Sequence, residues 1–144
     1  MTGGTSITAS ITAWLMPHLI LAPIALPLLT AGLMLLLREE RQRTKVTLNI
    51  TSTFLGLVVA VLLLVQAKDP SLPGGLGVYL PGNWPAPFGI VLGLDRLSAL
   101  MVALTAFLAL VVQLYAIGTG WDGRGRHFHA LWQFQLMGVC GAFL

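Results

Sequence analysis

The stretch LSALMVALTAFLALVVQLYAIGTGW, residues 97–121, contains no charged side chain. Read as a helix from about Gly93 to Ile117, it is long enough at about 1.5 Å per residue to cross a hydrocarbon layer about 30 Å thick. Residues 1–37, 46–67 and 128–144 also lack Asp, Glu, Lys and Arg. The 144-residue chain is 56% hydrophobic and only 9% charged, where a soluble domain carries about a quarter charged residues. That balance excludes a soluble globular domain and a disordered tail. The pattern predicts an all-α integral membrane protein, a polytopic helix bundle with spans at about 14–37, 46–67, 93–117 and 128–144.

The basic residues sit between the apolar blocks rather than along one face, so they report topology and not nucleic-acid binding. Loop 38–45 holds Arg38, Arg41, Arg43 and Lys45, and loop 118–127 holds Arg124 and Arg126, against Lys68 and Arg96 on the other side. The excess predicts that loops 38–45 and 118–127 are cytoplasmic and that the N-terminus is outside. Trp14, Trp84, Trp121 and Trp132 all fall near the boundaries, as an aromatic belt requires. Met1 to Leu37 has no Lys or Arg, which argues against a secretory signal peptide. Pro17, Pro23 and Pro27 in the first half of span one predict a kinked or late-starting helix. The 68–89 connection carries five Gly and five Pro, and Gly77-Val78-Tyr79-Leu80 before Pro81-Gly82 predicts a small surface hairpin. Span four stops at Leu144 without a polar flank, which reads as a fragment of a longer membrane protein.

Side-chain size sorts the faces. Ser98, Ala99, Ala103, Ala106, Ala109, Gln113 and Ala116 share one side of span three, and Leu97, Leu100, Met101, Leu104, Phe107, Leu108 and Val111 take the other. The small face is expected to meet another helix and the bulky one lipid. Asn49, Thr53, Gly56 and Ala60 form a similar seam on span two, where the two polar groups gain hydrogen bonds across a helix interface.

Few residues suggest chemistry. Asp95 and Arg96 at the start of span three are a candidate ion-entry pair; the plainer reading is an anion at a helix N-terminus beside a snorkelling arginine. His18 is a candidate proton relay, or an interfacial histidine. His127 and His129 point to different faces, which disfavours chelation, whereas His129 and Gln133 share a face. The single Cys140 cannot form an intrachain disulfide. Gly74, Gly75 and Gly77 match no phosphate loop. No nucleophile–base set can be assembled, so neither an enzyme, nor a metal site, nor a cofactor is expected.

The segment Gly82-Asn83-Trp84-Pro85-Ala86-Pro87-Phe88-Gly89-Ile90-Val91-Leu92, running into Asp95-Arg96-Leu97-Ser98-Ala99-Leu100-Met101, resembles the D-type subunits of Mrp-type multisubunit monovalent cation/proton antiporters. So does Arg124-Gly125-Arg126-His127-Phe128-His129-Ala130-Leu131, followed by Phe134-Gln135-Leu136-Met137-Gly138. That family is itself similar to the antiporter-like subunits of proton-pumping NADH:quinone oxidoreductase. The resemblance implies the N-terminal four spans of a subunit of about fourteen helices in a bacterial cell membrane. It implies exchange of Na⁺ or K⁺ for H⁺ in complex with other subunits. It also implies that the proton-relay glutamate and lysines lie on later helices, leaving Asp95 and Arg96 as members of an external-side pathway. Val139 and Cys140 depart from the family pattern, which has a bulky aliphatic followed by Asn. The rival expectations are a structural membrane fragment that moves nothing, and a subunit of the quinone-reducing complex.

Overall fold

The computed structural model describes residues 7, 10, 14, 18–37, 40–67, 77–80, 87, 89 and 91–144, with the backbone alone for 77–79. The expectations for residues 15–17 of span one, Arg38, Lys68, Trp84 and the Pro81-Gly82 turn lie outside the described residues. Four helices are described along their whole length, α1 (Ala22–Leu36), α2 (Gln42–Gln66), α3 (Arg96–Gly118) and α4 (Phe128–Phe143); Ile7, Ser10, Trp14, His18 and Leu19 before them are also helical. Two short strands, β1 (Gly77–Tyr79) and β2 (Leu92–Leu94), precede α3. They pair antiparallel, with Gly77 opposite Leu94 and Tyr79 opposite Leu92.

Each helix departs from its sequence-based bounds for a local reason. Ile20 and Leu21 form a turn before α1, and Pro23 follows in the first helical turn, where its missing N–H costs nothing. Pro27 sits inside α1 and leaves one further carbonyl without its helical donor. α2 begins at Gln42 and not Val46, because polar residues can supply its first turn. α3 begins at Arg96 and not Gly93, because residues 92–94 are taken by β2. The partner of β1 is therefore β2, across a longer connection than a hairpin within 68–89. Asp95 stands at the N-cap of α3, where its carboxylate accepts from the Arg96 N–H at 2.7 Å.

Among the described residues, α2 and α3 are the helices long and apolar enough by themselves to cross a membrane, and just 28% and 33% of their most apolar windows are buried. A soluble core helix would be mostly buried; these are not. α1 packs most extensively against α4, and α2 against α3, with α1–α2 and α3–α4 contacts closing a ring and a slimmer α2–α4 contact across it. Arg96 Nε donates to the Ala67 carbonyl at 3.3 Å and Gly93 N–H donates to the Leu144 carbonyl at 2.9 Å. These bonds gather the end of α2, the start of α3 and the end of α4 at one end of the molecule.

The exterior is largely apolar, and the interior mixes apolar side chains such as Met34, Leu63 and Leu94 with small and polar ones. Leu29, Leu36, Phe54, Val65, Leu97, Phe107 and Leu131 are exposed, while Ala31, Ala60, Ala99, Asn49, Gln113 and Gln133 are buried. The hydroxyls of Thr30, Thr47, Thr51 and Thr53 donate to carbonyls one turn earlier in their own helices, at 2.7–3.0 Å. Hiding hydroxyls in this way spares them from a medium that offers no partner.

Candidate functional site

The α2–α4 crossing holds the most developed polar cluster among the described residues. Asn49 and Thr53 on α2 meet His129 and Gln133 on α4, and all four are buried. Asn49 Nδ2 lies 2.8 Å from His129 Nδ1. Gln133 Nε2 donates to Asn49 Oδ1, to Thr53 Oγ1 at 3.2 Å and to the Asn49 carbonyl at 3.4 Å. On its other side, His129 Nε2 lies 3.5 Å from Asp122 Oδ2.

A helix ending brings Asp122 there. The Trp121 N–H bonds to the Ala116 carbonyl and the Gly120 N–H to the Ile117 carbonyl, at 2.9 and 3.1 Å. Gly120 has φ 72°. This bond pair, closed by a left-handed glycine, is a Schellman ending. It turns the chain sharply, so that Asp122 follows within two residues and faces α4. Arg124 then stacks 4.3 Å above the Trp121 ring.

Two small cavities flank the cluster. The loop-end cavity is lined by Gln42, Lys45, Arg126, His127 and His129, among others. A second, with room for about one water molecule, lies between Pro23, Pro27, Ser52, Thr53, Gln133 and Cys140. Thr30 and Ser52 hydroxyls lie 2.9 Å apart beside it.

Other residues singled out by sequence lie elsewhere. His18 is exposed, 5.0 Å from the exposed Trp14 ring. Asp95 and Arg96 are exposed at the opposite end of the molecule from Asp122. Gly56 and Ala103 are half-buried; Ala99 and Ala106 are buried. Gln113 is fully buried, and neither of its amide atoms has a partner. Sequence reasoning put Asn49, Thr53, His129 and Gln133 on helix faces but did not join the two faces. It gave no part to Asp122 or Lys45. Their signal was an acid and a base that each border a charge-free span.

Comparison with known proteins adds what geometry cannot. No family model matches the chain. The chain is 47% identical over 135 residues to a probable K⁺/H⁺ antiporter D-type subunit of Rhizobium meliloti, covering 92% of this chain and 24% of the relative. It is 33% identical over 130 residues to the Na⁺/H⁺ antiporter D-type subunit of Bacillus subtilis, covering 90% and 25%. The corresponding subunit of Alkalihalophilus pseudofirmus is 31% identical over 130 residues, with 90% and 25% covered. The chain is homologous to D-type antiporter subunits. It spans about a quarter of the length of these relatives. The homology, with the two long apolar helices, implies a membrane protein.

Proposed function

We propose that this chain supplies four membrane-crossing spans of a D-type subunit in a multisubunit Na⁺ or K⁺/H⁺ antiporter of a bacterial cell membrane. The observation that carries this is the 47% identity along 92% of the chain. The largely apolar exterior around a buried polar cluster supports it. α1 and α4 are short, at about 22 and 24 Å by helical rise. On this reading residues before α1 and the turn between Ile20 and Ala22 complete the first crossing. Loops 38–45 and 118–127 face the cytoplasm. Lipid surrounds the bulky faces of α2 and α3, and other subunits cover the rest. The proton-relay helices lie outside these 144 residues. Asp95 and Arg96 belong to the outer-side pathway, with His18 near the same end.

A chimera tests the proposal. The aligned quarter of the Rhizobium meliloti subunit is replaced by these residues, and cation-dependent proton movement is followed in everted membrane vesicles from an antiporter-deficient strain. Retained exchange is expected, together with no salt tolerance from the 144 residues alone. A chimera that assembles with its partner subunits but exchanges nothing, or salt tolerance from the 144 residues alone, would contradict the reading.

A further inference from the structure

The bond pattern at the α2–α4 crossing fixes the direction of every donor. The Asn49 backbone carbonyl can only accept, so the Gln133 atom facing it at 3.4 Å is nitrogen. Thr53 donates its hydroxyl proton to that same carbonyl, so its oxygen accepts from Gln133, which gives the same assignment. The Asn49 atom facing Gln133 Nε2 is then oxygen, and its nitrogen faces His129. His129 Nδ1 must therefore be a bare acceptor, and the neutral ring carries its proton on Nε2, toward Asp122. Donors point one way from Gln133 through Asn49 to His129, whose Nε2 lies 3.5 Å from Asp122 Oδ2 without a hydrogen bond.

Such a chain has a second setting, which gives up the Gln133 and Thr53 bonds to the Asn49 carbonyl. A proton taken from water onto Nδ1 sets a ring N–H against the Asn49 NH₂ group at 2.8 Å. Two donors cannot share that contact, and the buried charge demands an acceptor. Rotating the Asn49 amide by half a turn presents Oδ1 to the ring and nitrogen to Gln133. The Gln133 amide must then rotate in turn, with Thr53 redirecting its hydroxyl to it. The Gln133 Oε1 atom now stands buried without a partner, on a side chain that lines the cavity beside Pro23, Ser52 and Thr53. In the second setting an N–H replaces that oxygen.

We propose that Asp122 and His129 form a proton-binding site at the loop end of α4, and that its occupancy reverses the amides of Asn49 and Gln133, exchanging an acceptor for a donor at the water-sized cavity. Asp122 supplies the compensating anion for the imidazolium. Lys45 from α2, with Arg126 and His127 from the loop, are the cations and titratable groups on the same side; α1 contributes no ionisable group. An acceptor at the cavity favours a water proton or a monovalent cation, and a donor opposes the cation. Loading a proton thereby works against a cation nearby, the antagonism that exchange requires. The site so deepens the transport reading and rests on it for its purpose, though not for its chemistry.

The test is a pH titration of the full-length subunit in its assembled complex, in lipid nanodiscs, with ¹⁵N-labelled His, Asn and Gln side chains. His129 is expected to titrate, and the Asn49 and Gln133 amide signals to move with the same midpoint. In Asn49→Leu, His129 still titrates while Gln133 no longer responds. Asp122→Asn is expected to displace the pH profile of exchange from that of the parent, because the imidazolium loses its anion. A His129 that titrates while Gln133 stays still in the parent protein, or that never titrates between about pH 5 and pH 9, would overturn the proposal. A parent complex that shows this coupling but no exchange would sink the transport reading and leave the switch standing.

Discussion

Asn49 meets α4 with both ends of its amide and with its backbone carbonyl. Replacing it with leucine leaves His129 Nδ1 and Gln133 Nε2 short of partners in a dry interface. The expected loss is about 1–3 kcal/mol, read as a lower melting temperature of the purified protein in detergent. Gln113 is the control. It is equally buried but bonds to nothing, so Gln113→Leu removes an unpaired amide and should melt at or above the parent temperature. The sequence marked both as polar groups on small-residue faces. It could not tell them apart, because the difference lies in what the opposite helix presents. Asn49 faces His129 and Gln133, spaced one turn apart on α4. For Gln113 no such partner exists among the described residues.

At the scale of elements, the Schellman ending of α3 is the piece most sensitive to a single change. Gly120 sits at φ 72° with open space where a Cβ would stand, so an alanine there meets only the strain of the left-handed backbone. Gly120→Ala should cost about 1 kcal/mol. It should also blunt any pH response that depends on Asp122, since the turn aims that carboxylate at His129. Gly120→Asn should cost less, asparagine tolerating this conformation better. Thermal melts of the two variants side by side check the order. The long helices were legible from hydropathy, to within about one turn at each end. β2 was not, because Leu92, Gly93 and Leu94 read as the apolar start of a span. Pairing with Gly77–Tyr79 and the Gly93 bond to the Leu144 carbonyl hold them extended. The break before α1 had a visible cause in Pro23, but the turn at Ile20 and Leu21 is set by packing against the neighbouring helices.

The molecule buries Asn49, Thr53, Gln113, His129 and Gln133 while leaving many leucines exposed. That arrangement is stable only where the surroundings are themselves apolar. In water the exposed faces of α2 and α3 would drive aggregation. The proposed orientation rests on charge: the basic loops 38–45 and 118–127 stay on one side, and the end carrying β1, β2 and Asp95 lies on the other. Cysteine accessibility tests this most directly. With Cys140→Ala as background, single substitutions Thr44→Cys, Gly123→Cys and Leu80→Cys are probed in intact cells with a membrane-impermeant maleimide. Leu80→Cys should label from outside, and Thr44→Cys and Gly123→Cys only after the membrane is opened. Labelling of Thr44→Cys and Gly123→Cys from opposite sides would contradict the account.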